Sequence, residues 1–393
     1  MKILVGHNYY QQPGGEDAVV RSEIDLLRSH GHEVLLVEAT NKDFNDLSMV
    51  SKISNVLSWS WSERFYHLVR RHCLDFHPDV AHFHNTFFMM TPSVYAACRS
   101  VAVPVVQTLH NFRLLCSNAL LYRQGHACEE CLSHSLSRGI SYGCYRNSRV
   151  LTWAVVRMLQ QHRQRKTGVK EVDAFIALTD FARDKFVQGG LPKGKIWVKP
   201  NFLLSDPGVR TAAQDYFVFA GRLSEEKGVM VLLESFKDLP KVPLVIMGDG
   251  PLRKTAEIYI KQHALTNIRL TGFLDKDSYY ETLKKAKAII VPSVCYENFP
   301  VAILEAFACG VPVVASGHGA MRELVRAEVT GVLFNPGDAC DLKEKISSLS
   351  GDPQKTIAMG LQARKQFEEH YSAQSNYKQL MSIYDQAKMN TLC

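Results

Sequence analysis

Short apolar segments alternate with amphipathic helical segments along most of the sequence, and this alternation restricts the fold more than any other feature. The series opens with a predicted strand over residues 2–6, a helix over 17–29 and a strand over 33–37. Such strand–helix–strand units form parallel sheets whose two faces are covered by helices. A second series begins near Tyr216, so the sequence predicts an α/β protein with two doubly wound, Rossmann-like domains.

An irregular stretch separates the two predicted domains. The length of 393 residues favours two domains over one. We assign 1–200 to an N-terminal domain and 201–370 to a C-terminal domain, because Pro200 and Pro207 mark the boundary. Residues 371–393 are expected to form a helix that packs back on the N-terminal domain. The further predicted strands are 80–84, 103–109, 174–177, 216–220, 243–247, 268–270, 288–291 and 311–315. The further predicted helices are 229–236, 279–287, 300–309 and 357–384.

The composition is that of a folded protein. Hydrophobic residues make up 46% of the chain and charged residues 22%. No apolar run reaches the roughly 18 residues that would cross a bilayer. Asn8 and Gln11 interrupt the first apolar segment too early for a signal peptide. Ten cysteines without such a peptide indicate reduced thiols, so a cytoplasmic location is expected.

Positive charge is concentrated between Arg113 and Lys170, where ten basic residues face only Glu129 and Glu130. Within this segment an apolar stretch with a tryptophan is followed by a basic one, over residues 150–166. A helix of this kind either lies on an anionic membrane face or is buried with a solvated basic end. The aromatic and basic stretch from Trp59 to Arg71 favours the membrane interpretation, so we predict peripheral association with the cytoplasmic face. No nucleic-acid partner is expected.

Four cysteines, Cys116, Cys128, Cys131 and Cys144, lie in one irregular stretch of the N-terminal domain. Cys128 and Cys131 form one C-x2-C unit, and the outer two are single. A structural zinc site is one interpretation of this pattern. Buried free thiols or a redox-labile pair are the others.

Two carboxylates stand out near a predicted helix at 300–309. Glu305 lies inside this apolar helix, where a carboxylate needs strong donors to offset its burial. The vicinal hydroxyls of a ribose are such donors. Glu297 precedes the helix and could reach a bound sugar. The pair Gly14-Gly15 precedes the first helix without the rest of the dinucleotide fingerprint, which disfavours an NAD-dependent dehydrogenase.

Over nearly its whole length the sequence resembles glycosyltransferase family 4, the retaining enzymes with the GT-B fold. The matching motifs, in chain order, are Pro13-Gly14-Gly15, Gln107–Arg113, Ala177-Leu178-Thr179 with Pro200-Asn201, Gly221–Gly228 (GRL-x-x-EKG), Gly248–Leu252 (GDGP) and the E-x7-E spacing of Glu297 and Glu305. Phe202 stands where the family pattern has glycine. The resemblance implies two Rossmann-like domains facing across a cleft, with the acceptor on the N-terminal side and the nucleotide-sugar donor on the C-terminal side.

The resemblance also implies a role for each matching residue. Arg222 and Lys227 are expected to pair with the donor diphosphate. Glu305 is expected to hold the ribose, Glu297 the transferred sugar, and His110 to lie under that sugar. The other residues expected to line the donor site are Gly14, Gly15, Asn201, Gly221, Gly250, Asn298, Phe299 and Pro300.

The implied reaction moves a sugar from a UDP- or GDP-sugar to a glycan or lipid-linked acceptor in polysaccharide or glycolipid biosynthesis, with retention of configuration. Two cations neutralise the leaving diphosphate, so no cofactor and no catalytic metal is expected. Asp275 and Asp277 form a literal D-x-D, which we interpret as helix-capping residues. A retaining glycosidase also uses two carboxylates, but here one is expected at the ribose. The alternatives are a sugar-nucleotide epimerase and a catalytically inactive sugar-nucleotide-binding protein.

Overall fold

The chain divides into two compact units. The computed structural model describes residues 1–10, 14–40, 60–211 and 215–392. The first unit contains the described residues of Met1–Leu121, Glu129–Leu204 and Ala373–Cys393. The second unit contains Tyr122–Cys128 and the described residues of Ser205–Ser372. The chain therefore returns to the first unit after it has completed the second.

The strands are short, as is usual in parallel sheets. They are β1 (Lys2–Tyr9), β2 (Glu33–Thr40), β3 (Val80–Phe83), β4 (Val105–Leu109), β5 (Tyr122–Arg123), β6 (His126–Ala127), β7 (Ala174–Ala177), β8 (Ile196–Val198), β9 (Phe217–Ala220), β10 (Leu244–Met247), β11 (Ile268–Gly272), β12 (Ala288–Val291), β13 (Val313–Ser316) and β14 (Gly331–Phe334).

The helices follow most of these strands. They are α1 (Gly15–Ser29), α2 (Glu63–Phe76), α3 (Ser93–Arg99), α4 (Glu130–Ser133), α5 (Ser137–Tyr142), α6 (Arg149–Arg165), α7 (Thr167–Lys170), α8 (Asp180–Gln188), α9 (Val229–Lys237), α10 (Arg253–Gln262), α11 (Lys276–Lys285), α12 (Val301–Ala308), α13 (Gly319–Leu324), α14 (Ala339–Gly351), α15 (Pro353–His370) and α16 (Ala373–Leu392).

Each unit is built on a parallel sheet of six strands. The first sheet has the order β2-β1-β3-β4-β7-β8 and the second the order β11-β10-β9-β12-β13-β14. The short β5-β6 pair is antiparallel and separate from both. The central strands β3, β4, β7 and β12 are buried along their whole length, because helices cover both faces of the sheets. The predicted fold class, two Rossmann-like α/β domains, is confirmed.

Helix α16 completes the core of the first unit. Its residues Leu380, Ile383 and Tyr384 are buried in one cluster with Ile3 of β1 and Ile24 of α1. The second unit has its own core between its sheet and helices α9 and α14. Each sheet is therefore stabilised by apolar burial within its own unit.

The strand order fixes where a ligand would meet each unit. In an open parallel sheet, ligands bind at the carboxyl ends of the strands where the order reverses direction. That point lies between β1 and β3 in the first sheet and between β9 and β12 in the second. The residues that follow these strands are therefore the candidates for ligand contact.

The structure corrects one predicted helix and confirms one predicted helix cap. The predicted helix 357–384 is two helices, α15 and α16, which belong to different units and are separated at Tyr371. The Tyr371 ring packs against Phe299 with ring centroids 5.8 Å apart, so the end of α15 is held in the second unit. Asp275 caps α11 by accepting a hydrogen bond from the Ser278 amide at 3.0 Å, as predicted.

Candidate active site

An ion pair of the second unit joins the residues that follow β9 and β12. Lys227 Nζ lies 2.6 Å from Glu297 Oε1, and the Ser293 hydroxyl donates to the same oxygen at 2.6 Å. Burial alone would raise the pKa of Glu297, but the charge of Lys227 and the hydrogen bonds from Lys227 and Ser293 together lower it. Burial would lower the pKa of Lys227, but Glu297 raises it. Both groups are therefore charged at neutral pH.

This ion pair is held by the backbone on both sides. Residues 225–227 form one turn of 3-10 helix that ends at Gly228, whose φ is +69°. A Cβ at Gly228 would lie 1.9 Å from the Pro292 carbonyl oxygen, so only glycine permits this approach. The Val294 amide donates to the Glu226 carbonyl at 2.9 Å. The GRL-x-x-EKG turn thus packs directly against the loop after β12 and is hydrogen-bonded to it.

Gly250 supports the backbone next to Arg222. The Leu223 amide donates to the Asp249 carbonyl at 2.9 Å, and the Leu252 amide donates to the Leu223 carbonyl at 2.9 Å. A Cβ at Gly250 would lie 2.5 Å from that Leu223 oxygen. The Arg222 side chain is exposed to solvent, one residue beyond Gly221 at the end of β9. The GDGP turn therefore fixes the backbone of the turn that presents Arg222.

Glu305 has a different environment from Glu297. It lies on α12, half-buried, and accepts a hydrogen bond from the Tyr279 hydroxyl at 2.5 Å. Burial raises the pKa of Glu305 to about 7, although hydrogen bonds from Tyr279 and Tyr280 act in the other direction. These two tyrosines of α11 were not identified from the sequence. The segment before α12, Asn298-Phe299-Pro300, is buried, and Pro300 caps the helix.

In the first unit, Asp17 organises the glycine pair that follows β1. Its Oδ2 accepts a hydrogen bond from the Gly14 amide at 3.1 Å, and its Oδ1 lies 2.8 Å from His7 Nε2. A Cβ at Gly14 would meet no atom of the described residues within 4 Å. Gly14 also has an ordinary extended φ of −134°. Packing among the described residues thus leaves open space at Gly14, directly before α1.

His110 follows β4 and is linked to the interior of the first unit. Its Nε2 lies 2.9 Å from Nδ1 of His84, which follows β3. His84 Nε2 in turn lies 3.3 Å from Glu23 Oε1. Burial, and then the neighbouring His84, lowers the pKa of His110 well below its usual value. His110 is therefore neutral at physiological pH.

A further carboxyl, that of Glu16, lies beside the glycine pair and was not identified from the sequence. Glu16 Oε2 accepts a hydrogen bond from the Tyr10 hydroxyl at 2.9 Å, and Asn111 donates to that hydroxyl at 2.9 Å. Burial raises the pKa of Glu16 to about 7. Because Asn111 follows His110 directly, this hydrogen bond links the loop after β4 to the residues after β1, although β3 lies between these strands in the sheet.

Comparison with known proteins identifies the family. The model described as Glycosyltransferase Family 4 matches residues 13–203, and the model Glycosyl transferases group 1 matches residues 207–366. The chain belongs to glycosyltransferase family 4. These two matches together account for nearly all of both units, and they meet close to the predicted domain boundary.

Individual relatives of this family 4 chain are distant. The putative colanic acid biosynthesis glycosyltransferase WcaL of Escherichia coli is 27% identical over 227 residues, which cover 54% of this chain and 56% of WcaL. The chain spans about half the length of the curated relatives it matches. Two solved structures share the fold. Sucrose-phosphate synthase from Thermosynechococcus elongatus is 16% identical with a TM-score of 0.72, covering 98% of this chain and 99% of that one. Anabaena HepE in complex with UDP-glucose is 17% identical with a TM-score of 0.65, covering 98% and 99%.

Asn201 lies in the first unit of this family 4 chain, since that unit includes the segment Glu129–Leu204. Asn201 is buried, and so is Phe202, which stands where the family pattern has glycine. The preceding Pro200 carbonyl accepts a hydrogen bond from Asn376 of α16 at 2.8 Å. Pro13, the first residue of the glycine motif, and Trp59 of the aromatic stretch lie outside the described residues.

One group of buried potential metal ligands lies in the core of the first unit. Among the described residues, the set of three or more metal-ligand atoms within 4.8 Å of one another is Glu23, His82 and His84. Both His82 nitrogens already have partners, since Nδ1 lies 2.8 Å from the Tyr384 hydroxyl and Nε2 2.8 Å from Thr108 Oγ1. Because the network also holds a buried lysine at Glu23, it is a hydrogen-bonded cluster and not a cation site.

Three of the four cysteines, Cys116, Cys131 and Cys144, belong to the first unit, and Cys128 to the second. The Cys116 thiol contacts Asn118 Oδ1 at 3.0 Å. A hydrogen bond with Cys131 lowers the pKa of Cys116 to about 6, more than burial raises it. The zinc and thiol interpretations of this stretch both stay predictions.

Proposed function

We propose that this protein is a retaining glycosyltransferase that moves a sugar from a UDP- or GDP-sugar to a glycan or lipid-linked acceptor in polysaccharide or glycolipid biosynthesis. The ion pair of Lys227 and Glu297, at the reversal point of the second sheet and beside the turn that carries Arg222, is the observation that supports this most. Membership of family 4 supports the same reaction class. WcaL is named for colanic acid biosynthesis, and HepE was crystallised with UDP and UDP-glucose.

The proposed roles follow from charge and position. Arg222 and Lys227 bind the donor diphosphate, which is a double anion, and the carboxylate of Glu305 accepts hydrogen bonds from the ribose hydroxyls. Glu297 binds the transferred sugar. Because Glu297 keeps Lys227 charged in the absence of donor, the cation is in place when the diphosphate arrives and needs no reorganisation.

The remaining contacts come from backbone and from the first unit. Amides near Asn298, Phe299 and Val301 bind sugar and phosphate at the start of α12, and the Gly15 amide approaches the diphosphate. His110 lies under the sugar. The leaving diphosphate, held by two cations, accepts the proton of the acceptor hydroxyl on the face that it leaves, so configuration is retained. We propose that the reaction needs no metal, because those cations neutralise the same charge.

The first test of this proposal is a thermal-shift panel with UDP, GDP, ADP, CMP and matched sugar nucleotides. One nucleoside diphosphate at about one hundred times its Kd should raise Tm by about 5 °C. Release of that nucleotide from its sugar donor should then depend on added acceptor. If no nucleotide changes Tm at millimolar concentration, the donor site is absent and the proposal fails.

The two carboxylates should respond differently to removal. Glu305→Ala should weaken nucleotide binding about tenfold, because two ribose hydroxyls lose their acceptor. Glu297→Ala should mainly lower turnover, because this carboxylate is proposed to bind the transferred sugar and not the free nucleotide. Calorimetry with the free nucleotide and steady-state kinetics separate the two effects. Equal effects of both changes would contradict the assignment.

We also propose that helix α6 binds an anionic membrane surface. Its outward face carries Val150 at 73% exposure and Trp153 at 46%, with Arg149 and Arg157 exposed beside them. No acidic residue occurs between Cys131 and Lys170. An apolar and cationic face without acidic residues fits the headgroup region of an anionic bilayer. Among the described residues, no helix combines the length and apolar character needed to cross one.

A further inference from the structure

Glu23 is a buried carboxylate at the centre of the first unit. Its Oε2 lies 3.0 Å from Lys199 Nζ, and both side chains are 2% exposed. Its Oε1 lies 3.1 Å from His82 Nδ1 and 3.3 Å from His84 Nε2. Burial would raise the pKa of Glu23, but Lys199 and then His82 hold it well below its usual value. The carboxylate is therefore ionised, and its negative charge faces the two histidine rings.

His84 lies between this charge and His110. Its Nε2 and Glu23 Oε1 are buried, and among the described residues neither atom makes a hydrogen bond of good geometry, so their 3.3 Å approach acts mainly through charge. Its Nδ1 lies 2.9 Å from His110 Nε2. Burial lowers the pKa of His84 to about 3, so the ring is neutral and carries one proton. Each of the two neutral imidazoles thus has one N–H and one bare nitrogen.

Only two arrangements of these protons make the His84–His110 hydrogen bond. In the first, His84 carries its proton on Nδ1, and its bare Nε2 faces the carboxylate. Two lone pairs then meet at 3.3 Å inside the protein, which is unfavourable in a medium of low dielectric constant. In the second, the proton is on Nε2 and faces the carboxylate, Nδ1 accepts from His110 Nε2–H, and His110 Nδ1 is bare.

We propose that Glu23, acting through His84, holds His110 in the tautomer with a bare Nδ1, so that His110 presents a hydrogen-bond acceptor to the donor sugar. Glu23 and His84 are then positioning residues, because they act on the substrate only through His110. This use of the acceptor rests on the proposed function, whereas the tautomer itself does not. Among the described residues, Nδ1 of His110 has no recorded hydrogen-bond partner.

The proposal predicts which sugars are accepted. An acceptor nitrogen binds a hydroxyl that donates, and it repels a fluorine or a carboxylate at the same position. The donor should therefore carry a free hydroxyl where it meets His110. A fluorine substitution at that carbon should lower kcat/KM about tenfold, the equivalent of one hydrogen bond.

Nitrogen-15 NMR of the histidine-labelled full chain tests the tautomer directly. The His110 signals are assigned by their loss in His110→Gln. We expect a protonated Nε2 and a bare Nδ1 in the unmodified protein. A proton on Nδ1 of His110 would overturn the proposal. Because this measurement needs no nucleotide, it gives the same answer whether or not the protein transfers sugars.

A pair of variants tests the cause. In Glu23→Gln with Lys199→Met the ion pair is removed as a unit, so neither charge is left buried alone. We expect a mixture of His110 tautomers and a turnover about tenfold lower. Thr108→Val is the matched control, because it breaks the other branch of the network at His82 Nε2 and should leave the His110 tautomer unchanged. An unchanged tautomer in the double variant would show that Glu23 does not set it.

The outcomes separate this inference from the proposed function. If the NMR result is as expected but no sugar nucleotide binds, the proposed function fails and the tautomer assignment stands. If sugar nucleotides are turned over but Nδ1 of His110 is protonated, the transferase function stands and this inference fails.

Discussion

Glu297 and Glu305 are separated by seven residues, yet their surroundings give them opposite electrostatic properties. Glu297 is paired with Lys227, which lowers its pKa. Glu305 is flanked by neutral tyrosine hydroxyls and burial raises its pKa to about 7. A positive neighbour therefore decides which carboxylate is permanently ionised and which one titrates near neutrality.

This difference predicts how donor binding depends on pH. Ribose hydroxyls donate to the ionised form of Glu305, and that form is lost as the pH falls through about 7. Sugar-nucleotide affinity should therefore decrease below pH 7, by up to about tenfold per pH unit. Calorimetry between pH 5.5 and 8.5 measures the slope with a sugar nucleotide, whose diphosphate does not titrate in this range.

Two variants check the origin of that slope. Glu305→Gln should remove it, whereas Glu297→Gln should retain it because the Glu305 carboxyl is unchanged. A slope that persists in Glu305→Gln would assign the titration to another group, and Glu16, with its pKa also near 7, would be the next candidate.

Gly250 predicts a second effect at the scale of one residue. In Gly250→Ala the new Cβ would lie 2.5 Å from the Leu223 carbonyl oxygen, so the backbone next to Arg222 must move. We expect a loss of about 1–3 kcal/mol in the free energy of unfolding and weaker nucleotide binding. Gly351→Ala is the control, since its Cβ meets no atom within 4 Å. Equal stability of the two variants in urea titration would rule out the proposed contact.

Among the elements, helix α6 has one arginine of its basic end in contact with the rest of the first unit. Arg163 donates to the Leu114 carbonyl at 3.0 Å, so part of the basic end is used inside the first unit. Arg165, also exposed, lies at the basic end, whereas Arg146, Arg149 and Arg157 are exposed close in sequence to the apolar residues Val150 and Trp153. A test of membrane binding should therefore change these three and keep Arg163.

We predict that changing Arg146, Arg149 and Arg157 to glutamine reduces co-sedimentation with vesicles containing anionic lipid. Each basic residue near such a surface contributes about 1 kcal/mol, so the loss should exceed tenfold. The triple change of Lys241, Lys254 and Lys261 to glutamine, exposed residues of the second unit, is the charge-matched control. If both triple variants sediment alike, α6 is not the contact surface.

The sequence predicted some elements to the residue and missed others. The strands at 174–177 and 288–291 have the predicted bounds, because each is a continuous apolar run between polar or turn residues. β8 was missed, since it has three residues and two are half-exposed. β14 was missed because it opens with Gly331, whose Cβ would lie 2.0 Å from the Val313 carbonyl oxygen. Close approach of two strands gives no signal in a single sequence.

The candidate site was predicted only in part, because contacts between strands leave no signal in a single sequence. Local motifs identified Arg222, Lys227 and Glu297, because their spacing within each motif is fixed by a short turn. That Lys227 contacts Glu297 follows only from the adjacency of β9 and β12 in the sheet. The links from Glu23 to His84 and His110 also depend on strand order and burial, which residue patterns along the chain do not contain.

At the scale of the whole molecule, the two units can be monitored separately. All four tryptophans lie between residues 59 and 197, in the sequence of the first unit. Ile383 of α16 is 3% exposed in the core of that unit. Ile383→Ala should therefore destabilise the first unit by about 2–5 kcal/mol and shift the tryptophan fluorescence transition to lower urea.

Leu349→Ala provides the control for this prediction. Leu349 is fully buried in the core of the second unit, so its removal should leave the tryptophan transition in place while it changes the circular-dichroism transition. A tryptophan transition that moves equally in both variants would mean that the two units unfold together.

The position of α16 in the chain has a consequence for biosynthesis. Because α16 follows the whole of the second unit, the ribosome synthesises this last part of the first unit's core only after the second unit. Until then, the apolar surface later covered by Leu380 and Tyr384 is open, and Lys199 and Glu23 lack the Asn376 side chain that contacts Lys199 at 3.2 Å. The core of the first unit therefore stays incomplete while the second unit is synthesised. During this interval its open apolar surface would be available to a chaperone.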